Sequence, residues 1–239
     1  MFNLKKGGEI MKKKYFGILI VLIALTFIFS GCLQQIPPAD NGNNGEGVQT
    51  IDLYQAKLDY LVNDTANATI TGVAIYHFNY TILFDGTTGI YLKEVVLNDG
   101  EMATVSGEFY KDTYNGQVRM RNITILSTET SVEPEPVVLD KVLDNSWLLD
   151  SGGDTTSPED HALWIYRFVT VSGTLTSLDN DGKLFEFEYP IESGTATITV
   201  YTYTAVSTCT DTPATVTGYL AGYKHVWQIY PRTPSDIEF

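Results

Sequence analysis

The residue types that carry catalysis occur in this sequence only as isolated members. His77, His161 and His225 lie far apart, and no G-x-S-x-G, H-E-x-x-H or phosphate-loop pattern accompanies them. Ser177, Asp179, Asp181, Gly182 and Glu188 approximate the spacing of a calcium loop. Yet Ser177 replaces the first acidic ligand, Lys183 adds a positive charge, and the flanks read as strands, so a hairpin turn is the better reading. Glu186 and Glu188 share a strand face and could act as an acid pair; in so acidic a chain they read as a solvated face. No metal, cofactor or catalytic residue is expected, and the chain reads as non-catalytic. What remains is chemistry of binding. Arg119 and Arg121 alternate along one strand and form the best pair of cations. Tyr201 and Tyr203 alternate with Val200 and Thr202 and share a face.

The elements that would position these groups are written twice. Ala103-Thr-Val-Ser-Gly107-Glu-Phe followed by Tyr114-Asn-Gly returns as Ala214-Thr-Val-Thr-Gly218-Tyr-Leu followed by Tyr223-Lys-His. Upstream, Thr69-Ile-Thr-Gly72 returns as Thr170-Val-Ser-Gly173. The offsets are 111 and 101 residues, too long for a solenoid repeat, and they imply two domains. Short Thr-, Ile-, Val- and Tyr-rich runs separated by Asp-Gly, Thr-Gly and Asn-Gly predict strands and tight turns. Strands are expected at 68–78, 80–85, 89–97, 102–111 and 117–126, then at 162–176, 183–191, 195–206, 213–221 and 225–231. Apolar residues at 51, 54, 58, 61 and 62 predict a short helix ahead of the first set. Residues 128–161 read as a charged, Pro-bearing linker, a capping segment over 137–149 that is either an extra strand or a turn of helix, and a polar loop. The fold class is all-β: two tandem five-stranded barrels, in domains 51–127 and 162–239.

The ordered motifs Ala68-Thr-Ile-Thr-Gly72, Thr81-Ile-Leu-Phe-Asp85-Gly, Gly89-Ile-Tyr-Leu92, Gly100-Glu-Met-Ala-Thr-Val-Ser-Gly107 and Tyr114-Asn-Gly116 resemble the OB-fold modules of prokaryotic surface proteins. Such modules are often found beside extracellular nuclease domains. OB-folds bind oligonucleotides and oligosaccharides on strands two and three and the bordering loops. The resemblance therefore implies candidate ligand-facing rings at Tyr80, Phe84 and Tyr91 in the first copy, and at Phe185, Phe187, Tyr201 and Tyr203 in the second, with half or more of these rings read as core.

The amino terminus supplies an address. Met11-Lys-Lys-Lys14, an apolar run from Tyr15 to Phe29, and Ser30-Gly31-Cys32 resemble a prokaryotic lipoprotein signal, which implies lipid on Cys32. On this reading residues 1–31 are the signal, with Met11 a plausible start, and an uncleaved anchor is the alternative. Residues 32–50 are a flexible spacer rich in Gly, Asn and Pro. Cys209, left without a partner, reads as a buried small apolar residue. Asn63, Asn67, Asn79 and Asn122 begin N-x-T sequons, which many archaea glycosylate on exported proteins and most bacteria do not. Beyond Cys32 ten basic residues face 28 acidic ones, a balance of −18. That field repels phosphate backbones and anionic membranes. The expected function is a lipid-anchored, extracytoplasmic adaptor that binds a glycan or an envelope protein. Binding of single-stranded nucleic acid in support of a separate nuclease is the alternative; Arg119, Arg121, Lys93 and Lys111 lining one groove would favour it.

Overall fold

A computed structural model describes residues 50–130, 133–207 and 211–239; the signal-like segment, Cys32, the spacer and Cys209 lie outside the described residues. Helix α1 (Leu53–Asn63) precedes β1 (Asn67–His77), β2 (Tyr80–Phe84), β3 (Gly89–Leu92), β4 (Glu101–Asp112) and β5 (Gln117–Thr130). These strands close into a barrel in the order β1-β2-β3-β5-β4, antiparallel except where β3 meets β5. A two-residue strand β6 (Val137–Val138), which pairs in parallel with the first strand of the second set, a 3-10 turn (Asn145–Trp147) and helix α2 (Pro158–Trp164) lead to that set. There β7 (Phe168–Ser177), β8 (Leu184–Ile191), β9 (Gly194–Tyr201), β10 (Thr212–Tyr223) and β11 (Val226–Tyr230) repeat the arrangement, with β9–β11 parallel and β10 returning to β7. β12 (Ile237–Glu238) extends this sheet along β10. Both barrels have the five-stranded OB-like topology expected from the repeat.

The repeated glycines mark where strands must bend. β1 pairs with β4 over Asn67–Val73 and with β2 over Val73–His77, so Gly72 sits at the change of partner. A Cβ there would lie 2.7 Å from the Phe84 carbonyl oxygen. Gly173 occupies the same place in β7, against the Glu188 carbonyl. Cross-strand hydroxyl pairs repeat with the same offsets: Thr71 with Thr104 at 2.8 Å, and Ser172 with Thr215 at 2.9 Å.

One local expectation fails. Residues 162–164 are helical, not the start of a long strand, because Ser157 caps α2 and Pro158 stands in its first turn. Tyr166, at φ +61°, then turns the chain before β7 begins. Helix α1 forms where expected but buries Leu53, Ala56 and Lys57, leaving Ile51 and Val62 exposed. Smaller differences follow the pairing: β5 runs on to Thr130 into the expected linker, β3 stops at Leu92, and β9 stops at Tyr201.

The reason α1 buries a lysine is the junction between barrels. Ile70, Ala74, Leu83, Ile90, Val105 and Met120 fill the first barrel. Ile75, Ile82 and Phe84 point the other way and join the core of the second barrel, Phe84 edge-on to Phe168 at 6.3 Å. Lys57, fully buried, donates to Thr88 Oγ1 at 2.6 Å, Gly89 O at 3.0 Å and Ile165 O at 3.2 Å. Gly89 itself lies so close to the Tyr166 carbonyl that no Cβ fits. Arg232 of the second barrel, stacked over Phe168, closes the far side with Asp99 at 3.2 Å and Asp236 at 2.9 Å. Gly89→Ala is expected to lower stability by about 3 kcal/mol through overpacking. Urea denaturation of residues 50–239 should show this as one transition at a lower midpoint, because the barrels share a core. Two separated transitions would show that they do not.

Candidate functional site

Docking the barrels leaves a cleft of about 260 Å³ between them. From the first barrel come Tyr80 and Ile82 on β2, Tyr91 on β3, Gln117 and Arg119 on β5, and Tyr114 and Asn115 in the β4–β5 turn. The second barrel adds Tyr166, Tyr203, Tyr219, Tyr223 and Tyr230, so eight tyrosines surround one arginine. Alternation explains why these rings face outward from their own barrels. On β5, Val118 and Met120 enter the core while Gln117 and Arg119 turn to the cleft. On β10 and β11, Leu220 and Ile229 go inward, leaving Tyr219 and Tyr230 paired across the strands and stacked at 5.4 Å.

The polar groups form a fixed network. Gln117 Oε1 accepts from Arg119 Nη2 at 2.8 Å and from the Tyr166 hydroxyl, and Gln117 Nε2 donates to the Gly222 carbonyl. Arg119 also donates to the Tyr166 hydroxyl at 2.9 Å, lies 4.8 Å over the Tyr91 ring, and pairs with Asp112 at 2.9 Å. The one cation in the cleft is therefore already neutralised. Asn115 donates to Asp112 through Nδ2 at 2.8 Å, while its Oδ1 is buried without a partner among the described residues. Burial raises the pKa of Tyr91, Tyr166, Tyr203, Tyr219 and Tyr230, so the rings stay protonated phenols at neutral pH.

Of the residues singled out from sequence, the structure brings Tyr80, Tyr91, Arg119 and Tyr203 together in this cleft. Tyr201 adjoins it, edge-on to Tyr203 at 5.3 Å and to Tyr230 at 5.9 Å. Phe84 is excluded because it is 1% exposed in the inter-barrel core. Phe185 and Phe187 are core residues of the second barrel, and the same alternation turns Glu186 and Glu188 to solvent. Arg121 shares the outward face of β5 with Arg119 but sits over Tyr110, 3.6 Å from Glu108 and outside the cleft. Lys93 lies 3.5 Å from Glu94, and the stem of Lys111 runs beside Gly153. These cations scatter rather than line one groove. The stretch with calcium-loop spacing forms the β7–β8 turn, where Asp179 accepts from the Lys183 amide at 3.1 Å. Asn63, Asn67, Asn79 and Asn122 are all exposed. Sequence reasoning missed Tyr114, Tyr166, Tyr219, Tyr223, Tyr230 and Gln117. The parity of β10 and β11 could have marked Tyr219 and Tyr230 as outward-facing.

No protein-family profile and no curated protein matches this chain. Among solved structures it is similar to one described as the p204 HINb domain. The two are 11% identical with a TM-score of 0.27, over 71% of this chain and 95% of that one. A likeness that weak supports nothing further.

His77 is buried beside Tyr219, its Nδ1 2.8 Å from that hydroxyl, and burial pushes its pKa down to about 4. The ring is neutral in the fold but titrates near about 6.5 in the unfolded chain. The unfolded state therefore binds more protons between those values, and stability is lost as pH falls from about 6.5 toward 4. His161, pushed by burial to about 3, acts in the same direction. The His77 contribution reaches up to about 3 kcal/mol. Urea midpoints measured from pH 7 to 4 should fall less steeply in His77→Gln; an identical slope would contradict this account.

Proposed function

We propose that this chain is a non-catalytic binding protein, held outside the cytoplasmic membrane through Cys32, whose inter-barrel cleft takes one unit of a neutral, hydroxyl-rich glycan. The observation that carries this reading is the cleft's composition: eight phenol rings and a single arginine already paired with Asp112. Tyr80, Tyr114 and Tyr223, exposed, and the half-buried Tyr91 and Tyr203 offer flat apolar faces together with O–H groups, which suits sugars that present C–H faces and hydroxyls, while Tyr166, Tyr219 and Tyr230 are buried behind them with their hydroxyls held by Gln117, His77 and Gln228. At about 260 Å³ the cleft is smaller than the pockets that hold drug-sized ligands, which run roughly 300–1,000 Å³, and one sugar ring suits it. The four exposed sequons are sterically open to carry glycans of their own.

Single-stranded nucleic acid fits less well. Its affinity rests on several Lys or Arg side chains neutralising phosphates. Here Lys93, Arg119, Arg121, Lys141 and Arg232 are each engaged by a carboxylate, and Lys57 is buried.

Residues 50–239 should bind neutral oligosaccharides on a glycan panel with little dependence on salt, and Tyr91→Ala should weaken binding about tenfold or more. Single-stranded DNA should not bind at about 50 mM salt. DNA binding that weakens steeply toward about 200 mM would replace the glycan reading with the nucleic-acid one. Failure to bind any sugar would remove the glycan reading and point to an envelope protein as the partner.

A further inference from the structure

Outside the cleft, the β1–β2 turn presents a second aromatic surface. His77 pairs with Tyr80, so Phe78 and Asn79 are the two central residues of the turn, at φ +43° and +71°. Positive φ at both centres is the type I′ geometry, favoured by Asn and Gly and costly for a bulky aromatic residue. Burial does not explain the choice, because Phe78 is 57% exposed. Its ring lies flat on Tyr203 of the second barrel, with centroids 4.4 Å apart and planes 8° from parallel. With one face on Tyr203 and more than half the residue exposed, the opposite face meets solvent.

Other ring-bearing residues at positive φ are held by what they touch. Tyr166 at φ +61° is buried, with its hydroxyl fixed by Gln117 and Arg119. His225 at φ +63° places Nδ1 2.7 Å from the Leu149 carbonyl. Phe78 combines a strained backbone with an exposed apolar ring, a pairing that points to use rather than packing. From Tyr203 the rings continue inward, to Tyr80 at 6.3 Å and from there to Tyr91 at 5.5 Å. Four rings in sequence offer more stacking surface than one sugar covers.

We propose that Phe78 and Tyr203 form an outer subsite, continuous with the cleft, that stacks the next unit of a neutral oligosaccharide, so that the protein reads an oligomer rather than a single sugar. This rests on the glycan reading of the cleft. The β1–β2 turn supplies the platform, the cleft supplies the hydrogen bonds, and the docked barrels hold the two in fixed register.

The test uses Phe78→Asn in residues 50–239 produced without glycosylation. Asn suits the φ of the turn, and the change creates no new sequon. Titration calorimetry would use neutral tetrasaccharides of glucose, mannose and N-acetylglucosamine, with the corresponding monosaccharides. The expected result is about a tenfold loss of tetrasaccharide affinity with monosaccharide affinity unchanged. The melting temperature should not fall, because relief of the strained φ offsets the lost stack. Tetrasaccharide affinity that is unchanged in Phe78→Asn but lost in Tyr91→Ala would overturn the outer subsite and leave the cleft reading intact. A melting temperature lower by about 5 °C or more would make Phe78 a packing residue and overturn the proposal. No sugar binding by the unsubstituted protein would overturn both readings.

Discussion

The buried ammonium of Lys57 fixes how the rest of the molecule is arranged. An ammonium has three N–H donors, and here all three find oxygen: Thr88 Oγ1, Gly89 O and Ile165 O. Burial lowers its pKa well below the ordinary lysine value, the mark of a group removed from water at a cost. That cost is tolerable only while every donor is met, and one acceptor belongs to the chain entering the second barrel. Thr88 tightens the same knot, its hydroxyl donating to the Ala162 carbonyl at 2.8 Å. Helix α1, the β2–β3 loop and the end of α2 are thereby held at one separation. Gly89 follows as a necessity, since its backbone lies against the Tyr166 carbonyl.

From this constraint comes the different fate of the two barrels. An OB-like barrel offers ligands the outward face of its second and third strands. In the first barrel much of that face, including Ile82 and Phe84, is spent on docking, and only its edge at Tyr80 and Tyr91 stays open. In the second barrel the outward face of β8 and β9 carries Glu186, Glu188, Thr195 and Thr197, all exposed, and a ring only at its end, where Tyr201 adjoins the cleft. Neither copy alone builds the cleft. It arises between the edge of one face and the outward rings of β10 and β11, and the shared core holds those rings in place before any ligand arrives. Such preorganisation reduces the entropy lost on binding.

These layers were unequally legible in the sequence. Repeated glycines and turn dipeptides carried the two-barrel architecture, because Gly72 and Gly173 answer a local backbone demand that any copy of the barrel shares. The start of the second barrel was misread because Leu163, Ile165 and Val169 alternate with Trp164, Tyr166 and Phe168 as a strand would, although Ser157-Pro158 carried the helix signal. Period-two alternation tells which side of its own barrel a residue takes. It does not tell whether another barrel covers the outer side, so Phe84 looked like a ligand-facing ring and Tyr166 drew no notice. Helix α1 hid its buried face for a related reason: Lys57 reads as solvent-facing until the three acceptors are seen to come from elsewhere in the fold.

The electrostatics of the cleft then differ from those of its surroundings. The chain beyond Cys32 carries −18, yet the charges inside the cleft reduce to Arg119 and the Asp112 that pairs with it. Tyr91, Tyr166, Tyr203, Tyr219 and Tyr230 remain neutral because burial opposes their ionisation. At physiological ionic strength the acidic exterior is felt over about 8 Å, which covers the approach to the cleft mouth. An anionic polymer would meet that repulsion, and the arginine that lines the cleft among the described residues is already paired, although Lys224 stands over Tyr223. A neutral polymer crosses the same field without penalty and meets rings and phenolic hydroxyls. Exposed Phe78, stacked on the cleft-lining Tyr203, adds an uncharged aromatic surface beside the cleft.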